Sequence, residues 1–193
     1  MDYFLLNLMP DENPDYCFLD SYPEGLGLKT WKLHKGVELG ADYPKDARIY
    51  MSDDEPGIQL PDLIGNTRSM LVVSRNLQES IRHVNQGPTE YLPVAIYNHK
   101  KRMASADYFI INPLGTYDCL DLEKSDIKYH EGQLVKVHEH VLDPRKLSSA
   151  PDLFRIREEP EAYVVSQRLL EVWLDMDPRP SNVFLIDLEQ SQP

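Results

Sequence analysis

Three histidines and a cysteine are the residues of this 193-residue chain best suited to chemistry. In an extended segment, His138 and His140 point to the same face, because side chains alternate across a strand. His130 could then supply a third imidazole, enough to hold a metal ion such as zinc. That set supports one reading of the chain, as a metal-dependent enzyme organised around His130, His138 and His140. Against it, Lys136 falls on the histidine face while Val135, Val137 and Val141 fall on the other, the pattern of a strand with a polar outer side. Asp118 and Asp121 fall on opposite faces of an extended segment, so they do not pair as general acid and base. Cys119, between them and beside Tyr117 and Leu120, reads as a small buried side chain instead of a nucleophile. No G-x-S-x-G, G-x-x-x-x-G-K-[ST], H-E-x-x-H or C-x-x-C spacing occurs, and each of those spacings is what its chemistry requires. No catalytic residue and no cofactor is assigned.

The elements that would carry these residues are mostly strands. Asp107–Leu122 reads as two short strands joined by an Asn112-Pro113-Leu114-Gly115 turn, residues suited to a tight reversal. Further strands are expected at Asp2–Met9, Asp46–Met51, Tyr91–Tyr97, Val135–Val141, Leu153–Ile156 and Asn182–Ile186, with a turn at Asp11–Pro14. Two helices stand out. Leu77, Ile81 and Val84 recur at helical spacing after Val72-Val73-Ser74, and Leu169, Val172, Trp173 and Met176 do so after Val164-Val165-Ser166. In both cases the serine sits where an N-cap accepts a hydrogen bond from a first-turn amide. Clustered strands with two helices predict an α+β fold, a mostly antiparallel sheet with the helices packed on it. Residues 1–62 read as a loop-rich β region that could form a small lobe, with a boundary near residues 56–66. Residues 63–187 read as the α+β core, and residues 188–193 as a frayed tail.

Charge narrows the function classes. Thirty-two acidic residues against 20 basic ones give a formal charge of −12 and a pI near 4.9. Such a surface argues against nucleic acid and anionic lipid as partners and favours a basic protein. The imbalance is uneven. Residues 1–62 and 106–193 each carry a net −8, whereas residues 63–105 carry +4 and include His99-Lys100-Lys101-Arg102. Acidic clusters at Asp11-Glu12, at Asp53-Asp54-Glu55 and at Glu158-Glu159 with Glu161 are solvated loops or contact sites. The last two clusters are the candidate partner-binding residues. Two cysteines support neither a disulfide framework nor a zinc site. No apolar run reaches the roughly 18 residues a membrane span needs, and the first residues lack a signal peptide's basic region. A reduced, cytoplasmic protein is expected.

Four segments in fixed order carry a resemblance. Asp107–Ser125 (DYFIINPLGTYDCLDLEKS), Val141–Leu147 (VLDPRKL), Leu153–Ile156 (LFRI) and Val164–Trp173 (VVSQRLLEVW) resemble the bacterial immunity-protein family of polymorphic toxin systems, the Myxococcus-type immunity domain. The N-P-L-G-x-x-D-C-L-D run, Asn112 to Asp121, is its most specific element, and the resemblance covers about residues 68–186. The chain departs from it at Asp177-Pro178-Arg179-Pro180-Ser181-Asn182, where relatives have a Gly-containing turn. The resemblance implies an α+β cytoplasmic protein that binds and neutralises a cognate secreted antibacterial toxin, without catalytic residues of its own. A basic nuclease-type toxin domain would suit the acidic surface. A scaffold for a secretion apparatus is a further reading, differing only in the partner.

Overall fold

The computed structural model describes residues 1–9 and 13–192. The acidic pair Asp11-Glu12, with the start of the turn expected at Asp11–Pro14, lies outside the described residues. Fourteen strands are present among those described: β1 (Tyr3–Asn7), β2 (Phe18–Leu19), β3 (Arg48–Tyr50), β4 (Leu63–Asn66), β5 (Leu71–Ser74), β6 (Thr89–Tyr97), β7 (Met103–Pro113), β8 (Asp126–His130), β9 (Gln133–Glu139), β10 (Val141–Leu142), β11 (Leu153–Arg155), β12 (Tyr163–Ser166), β13 (Phe184–Asp187) and β14 (Glu189–Gln190). Three helices join them: α1 (Trp31–His34), α2 (Arg75–Val84) and α3 (Gln167–Asp175). The fold is α+β.

Two sheets organise the molecule. One has six strands in the order β2-β4-β5-β7-β6-β3, the other four in the order β11-β12-β1-β13. Most pairings are antiparallel, while β2/β4, β3/β6 and β10/β14 run parallel. Strand β1, from the chain start, is an inner strand flanked by β12 and β13, and β3 pairs with β6. Residues 1–62 therefore contribute strands to both sheets.

Both long helices form where the local sequence requires. Ser74 Oγ accepts from Leu77 N at 3.4 Å, and Ser166 Oγ from Leu169 N at 3.2 Å, each satisfying a first-turn amide that has no intrahelical partner. Leu77, Ile81 and Val84 are buried on α2, and Leu169 and Trp173 on α3. The helices touch each other, and Trp173 Nε1 donates to Ser80 Oγ at 3.0 Å. Their apolar faces fill one core with Leu63, Leu71, Val73 and Ile111 of the larger sheet and Leu6, Leu153, Tyr163 and Val165 of the smaller. Each such side chain contributes roughly 1.5–3 kcal/mol on burial. The other face of the large sheet is covered by residues 17–51, through Cys17, Leu26, Leu33, Leu39 and Ile49.

Three expectations are corrected. Asp107–Leu122 is not a hairpin. Strand β7 runs to Pro113 between β5 and β6, so both of its edges are occupied. The chain then crosses to the small sheet, where Tyr117 bridges Ile156 in parallel and Leu120 bridges Leu142. The tail is not frayed at residues 188–191. Leu188 N donates to Tyr3 O, β14 pairs with β10, and Ser191 N donates to Leu142 O at 2.8 Å. Finally, Val135–Val141 is two strands, with His140 in the break between β9 and β10.

Candidate partner-binding site

Asn112 to Gly115, the first part of the Asn112–Asp121 run, contributes to a receptacle for a buried guanidinium. Arg155, on β11, is 1% exposed. Its Nε donates to Pro113 O at 3.1 Å and its Nη1 to Pro160 O at 2.6 Å. Its Nη2 reaches Leu33 O at 2.7 Å, Asn112 Oδ1 at 3.1 Å and the Tyr163 hydroxyl at 2.7 Å. The guanidinium also lies against the Tyr163 ring, 4.3 Å from its centroid. Among the described residues no carboxylate forms an ion pair with it. The nearest compensation runs through Asn112, whose Nδ2 donates to Glu90 at 2.9 Å, while Glu90 also accepts from the amides of Leu39 and Gly40. Gly36 completes the cradle. It has φ +61°, and a Cβ there would lie 2.7 Å from the Pro113 and Gly115 carbonyls and 3.0 Å from Arg155 Cδ. One side chain thus fixes α1, the end of β7 and the β11–β12 loop relative to one another.

That loop carries Glu158, Glu159 and Glu161, and two of the three make ion pairs with histidines. Glu159 Oε2 lies 2.7 Å from His140 Nε2. Glu161 Oε1 lies 2.8 Å from His34 Nδ1, and its other oxygen accepts from Ser69 Oγ at 3.1 Å. Glu158 Oε2 is buried with no hydrogen-bond partner among the described residues. The second cluster is arranged differently. Asp53, Asp54 and Glu55 are exposed and make no ion pair among the described residues. Their loop is held from beneath: Ser52 Oγ donates to Asp20 at 2.9 Å, Asp54 N donates to Ser52 Oγ at 3.2 Å, and His99 Nε2 reaches Ser52 O and Glu55 O. His99 belongs to the basic turn, so Lys100, Lys101 and Arg102 sit beside this acidic loop. Of the six proposed contact residues, Asp53, Asp54 and Glu55 are exposed and free of ion pairs among the described residues, while Glu159 pairs with His140 and the exposed Glu161 pairs with His34.

The three histidines of the metal-dependent reading are not brought together. His130 and His138 are exposed on the β8–β9 ribbon, and His140 turns to Glu159. Among the described residues, no three His, Cys, Asp or Glu side chains converge to hold a metal ion. Alternation fails as a guide here because His140 follows the end of β9. Asp118 is held below the usual carboxylate range by hydrogen bonds from Lys146 and Arg157, each at 2.8 Å. Asp121 Oδ1 instead accepts the amides of Glu123 and Lys124. Cys119 is fully buried, and burial pushes its thiol up to about 12.

One hydrogen-bonded series was not legible in the sequence. The Tyr22 hydroxyl contacts His34 Nε2, whose Nδ1 contacts Glu161, and the Arg68 guanidinium lies 5.3 Å from the Tyr22 ring centroid. Burial raises the Tyr22 hydroxyl's pKa, with Arg68 opposing. The series ties α1 to the β11–β12 loop alongside Arg155. Its members come from four distant stretches, and no local pattern joins them.

Comparison with known proteins agrees with this scaffold. No curated protein matches the chain. A family model does, over residues 14–187, and that match extends the resemblance of residues 68–186 into most of the N-terminal region. Its span includes the Asn112–Gly115 cradle, Arg155, both capped helices and both acidic clusters. The chain belongs to the Immunity protein family (Imm11).

Proposed function

We propose that this protein binds a cognate secreted antibacterial toxin and neutralises it by occupying it, not by chemistry on it. The family match over residues 14–187 carries this reading. Three features support it. The surface is strongly acidic, which would speed encounter with a basic toxin domain of nuclease type. The loops bearing the acidic clusters are held rigidly by Arg155, His34, His99 and His140, so little ordering cost falls on binding. The best-placed thiol, Cys119, is buried and protonated. No helix among the described residues is long and apolar enough to cross a membrane, in keeping with a protein that meets its partner in the cytoplasm of the producing cell. We place the exposed Asp53-Asp54-Glu55 loop at the rim of the contact, with the Glu158–Glu161 loop as a second candidate rim.

Co-expression with the toxin domain encoded beside this gene tests the proposal. The expected result is growth rescue and a complex that survives affinity capture and gel filtration. No rescue and no co-purification would refute it.

A further inference from the structure

Strand β13 is an open sheet edge. On its inner side, Leu188 N donates to Tyr3 O at 3.1 Å, and the register runs Phe4 to Asp187, Leu5 to Ile186, Leu6 to Leu185 and Asn7 to Phe184. Hydrogen-bonded and non-bonded pairs alternate in an antiparallel ladder. The N–H and C=O groups of Phe184 and Ile186 therefore face β1, and those of Leu185 and Asp187 face outward. No backbone partner reaches these outward groups among the described residues. The other margins of the two large sheets carry backbone bonds: Tyr117 bonds along β11, Glu24 N donates to Arg48 O on β3, and Ser52 N donates to Phe18 O on β2. Natural edges are commonly blunted by lysine, proline or a bulge, and Phe184–Asp187 has none of these.

A mostly apolar groove of about 390 Å³ runs beside this edge, lined by Phe4, Trp173, Leu174 and Leu185 among others, with the charged Arg179 and Asp187 also in its wall. Leu174 is 46% exposed at its rim, and Ile186, on the opposite face of the strand, is 54% exposed. An added strand would lay alternate side chains over that groove.

We infer that β13 accepts an extended, basic segment of the toxin as a fifth strand of the small sheet, with one apolar side chain of that segment in the groove. Charge selects this occupant. Residues 171–189 carry Glu171, Asp175, Asp177, Asp187 and Glu189 against a single arginine, Arg179. A second copy of this chain would bring the same acids and another −12 to the contact. The inference rests on the toxin-binding reading and names the place where that binding is made.

Hydrogen exchange on the full chain, alone and with an inactivated toxin domain from the neighbouring gene, tests it directly. The expected result is slowed exchange at Leu185 and Asp187 on complex formation. The variant Leu174→Lys/Ile186→Lys should lose at least about tenfold in affinity while melting as the parent does, because truncating or charging a buried contact is what interface anchors do not tolerate. Val135→Lys, an exposed apolar position on the β8–β9 ribbon, should bind as the parent does. A complex that leaves exchange at β13 unchanged overturns the edge contact and leaves toxin binding standing. Absence of any complex overturns both. A homodimer in light scattering that the double variant dissolves would assign the edge to a second copy and also overturn the inference.

Discussion

Replacing Arg155 with methionine should be among the most damaging single changes in the molecule, and its size can be worked from the contacts. The guanidinium serves five acceptors: the carbonyls of Pro113, Pro160 and Leu33, Asn112 Oδ1 and the Tyr163 hydroxyl. Pro160 O is at the partly open side, where water can replace the donor. The other four are buried, and an unsatisfied buried acceptor costs about 1–3 kcal/mol. Relief from desolvating the charge offsets part of that sum, since a buried ion without a direct counter-ion is itself costly. A net loss of about 3–5 kcal/mol follows, against a total stability of about 5–15 kcal/mol for a typical domain. In urea, with a slope of about 2–3 kcal/mol/M, the midpoint should fall by about 1–2 M with the slope unchanged. Arg155→Lys should recover little, because one ammonium cannot reach the same five acceptors. Glu90→Gln should cost less in the Arg155→Met background than in the parent, because Asn112 couples the two charges. A loss below about 1 kcal/mol for Arg155→Met would refute the reasoning.

Other outcomes follow from the same contacts. Ser166→Ala should destabilise by about 2 kcal/mol, more than Ser74→Ala, because Ser166 and the Asp152 carboxylate it donates to are both buried, whereas Ser74 and its acceptor Asp62 are only half-buried; thermal melts that invert the order would contradict this. Cys17 and Cys119, both pushed up to about 12 by burial, should resist a thiol reagent at pH 8 until denaturant is added, and rapid labelling of the native chain would contradict their placement. Hydrogen bonds from Lys29 and Lys32 lower Asp42 from 3.8 to about 2. A carboxylate depressed in the folded state adds stability above its unfolded pKa, and that stability is lost as pH falls through the folded value. The gap between the parent and Asp42→Asn in acid unfolding should therefore be constant above pH 5 and close between about pH 4 and 2; a gap that persisted below pH 2 would contradict the pairing.

The parts of the fold that were legible in the sequence are those decided locally. Ser74 and Ser166 announce their helices because a cap bonds within three residues of itself, and the spacing of Leu77, Ile81 and Val84 reports one buried face directly. Strand pairing is non-local and was read less well. Asn112-Pro113-Leu114-Gly115 signals a change of direction correctly, but nothing in it shows that β7 is already paired on both sides. Glu189-Gln190 looks like a solvated tail because its pairing to β10 uses the backbone alone. Arg155 sits in an apolar strand without a neighbouring acid, so its role emerges only when Asn112, Leu33 and Tyr163 converge on it. The acidic clusters looked equivalent as sequence. Histidines at positions 34 and 140 engage Glu161 and Glu159, and only the assembled chain distinguishes those carboxylates from Asp53, Asp54 and Glu55.

Titrating the purified chain into a fixed amount of its cognate toxin, with toxin activity as the readout, bears most directly on neutralisation by occupancy. Activity should fall linearly and reach zero at one equivalent, and it should return when the complex is dissociated. Loss of activity at a small fraction of an equivalent, continuing with time, would mean that the chain turns over and acts as an enzyme. No loss at any ratio would mean that the toxin is not its partner.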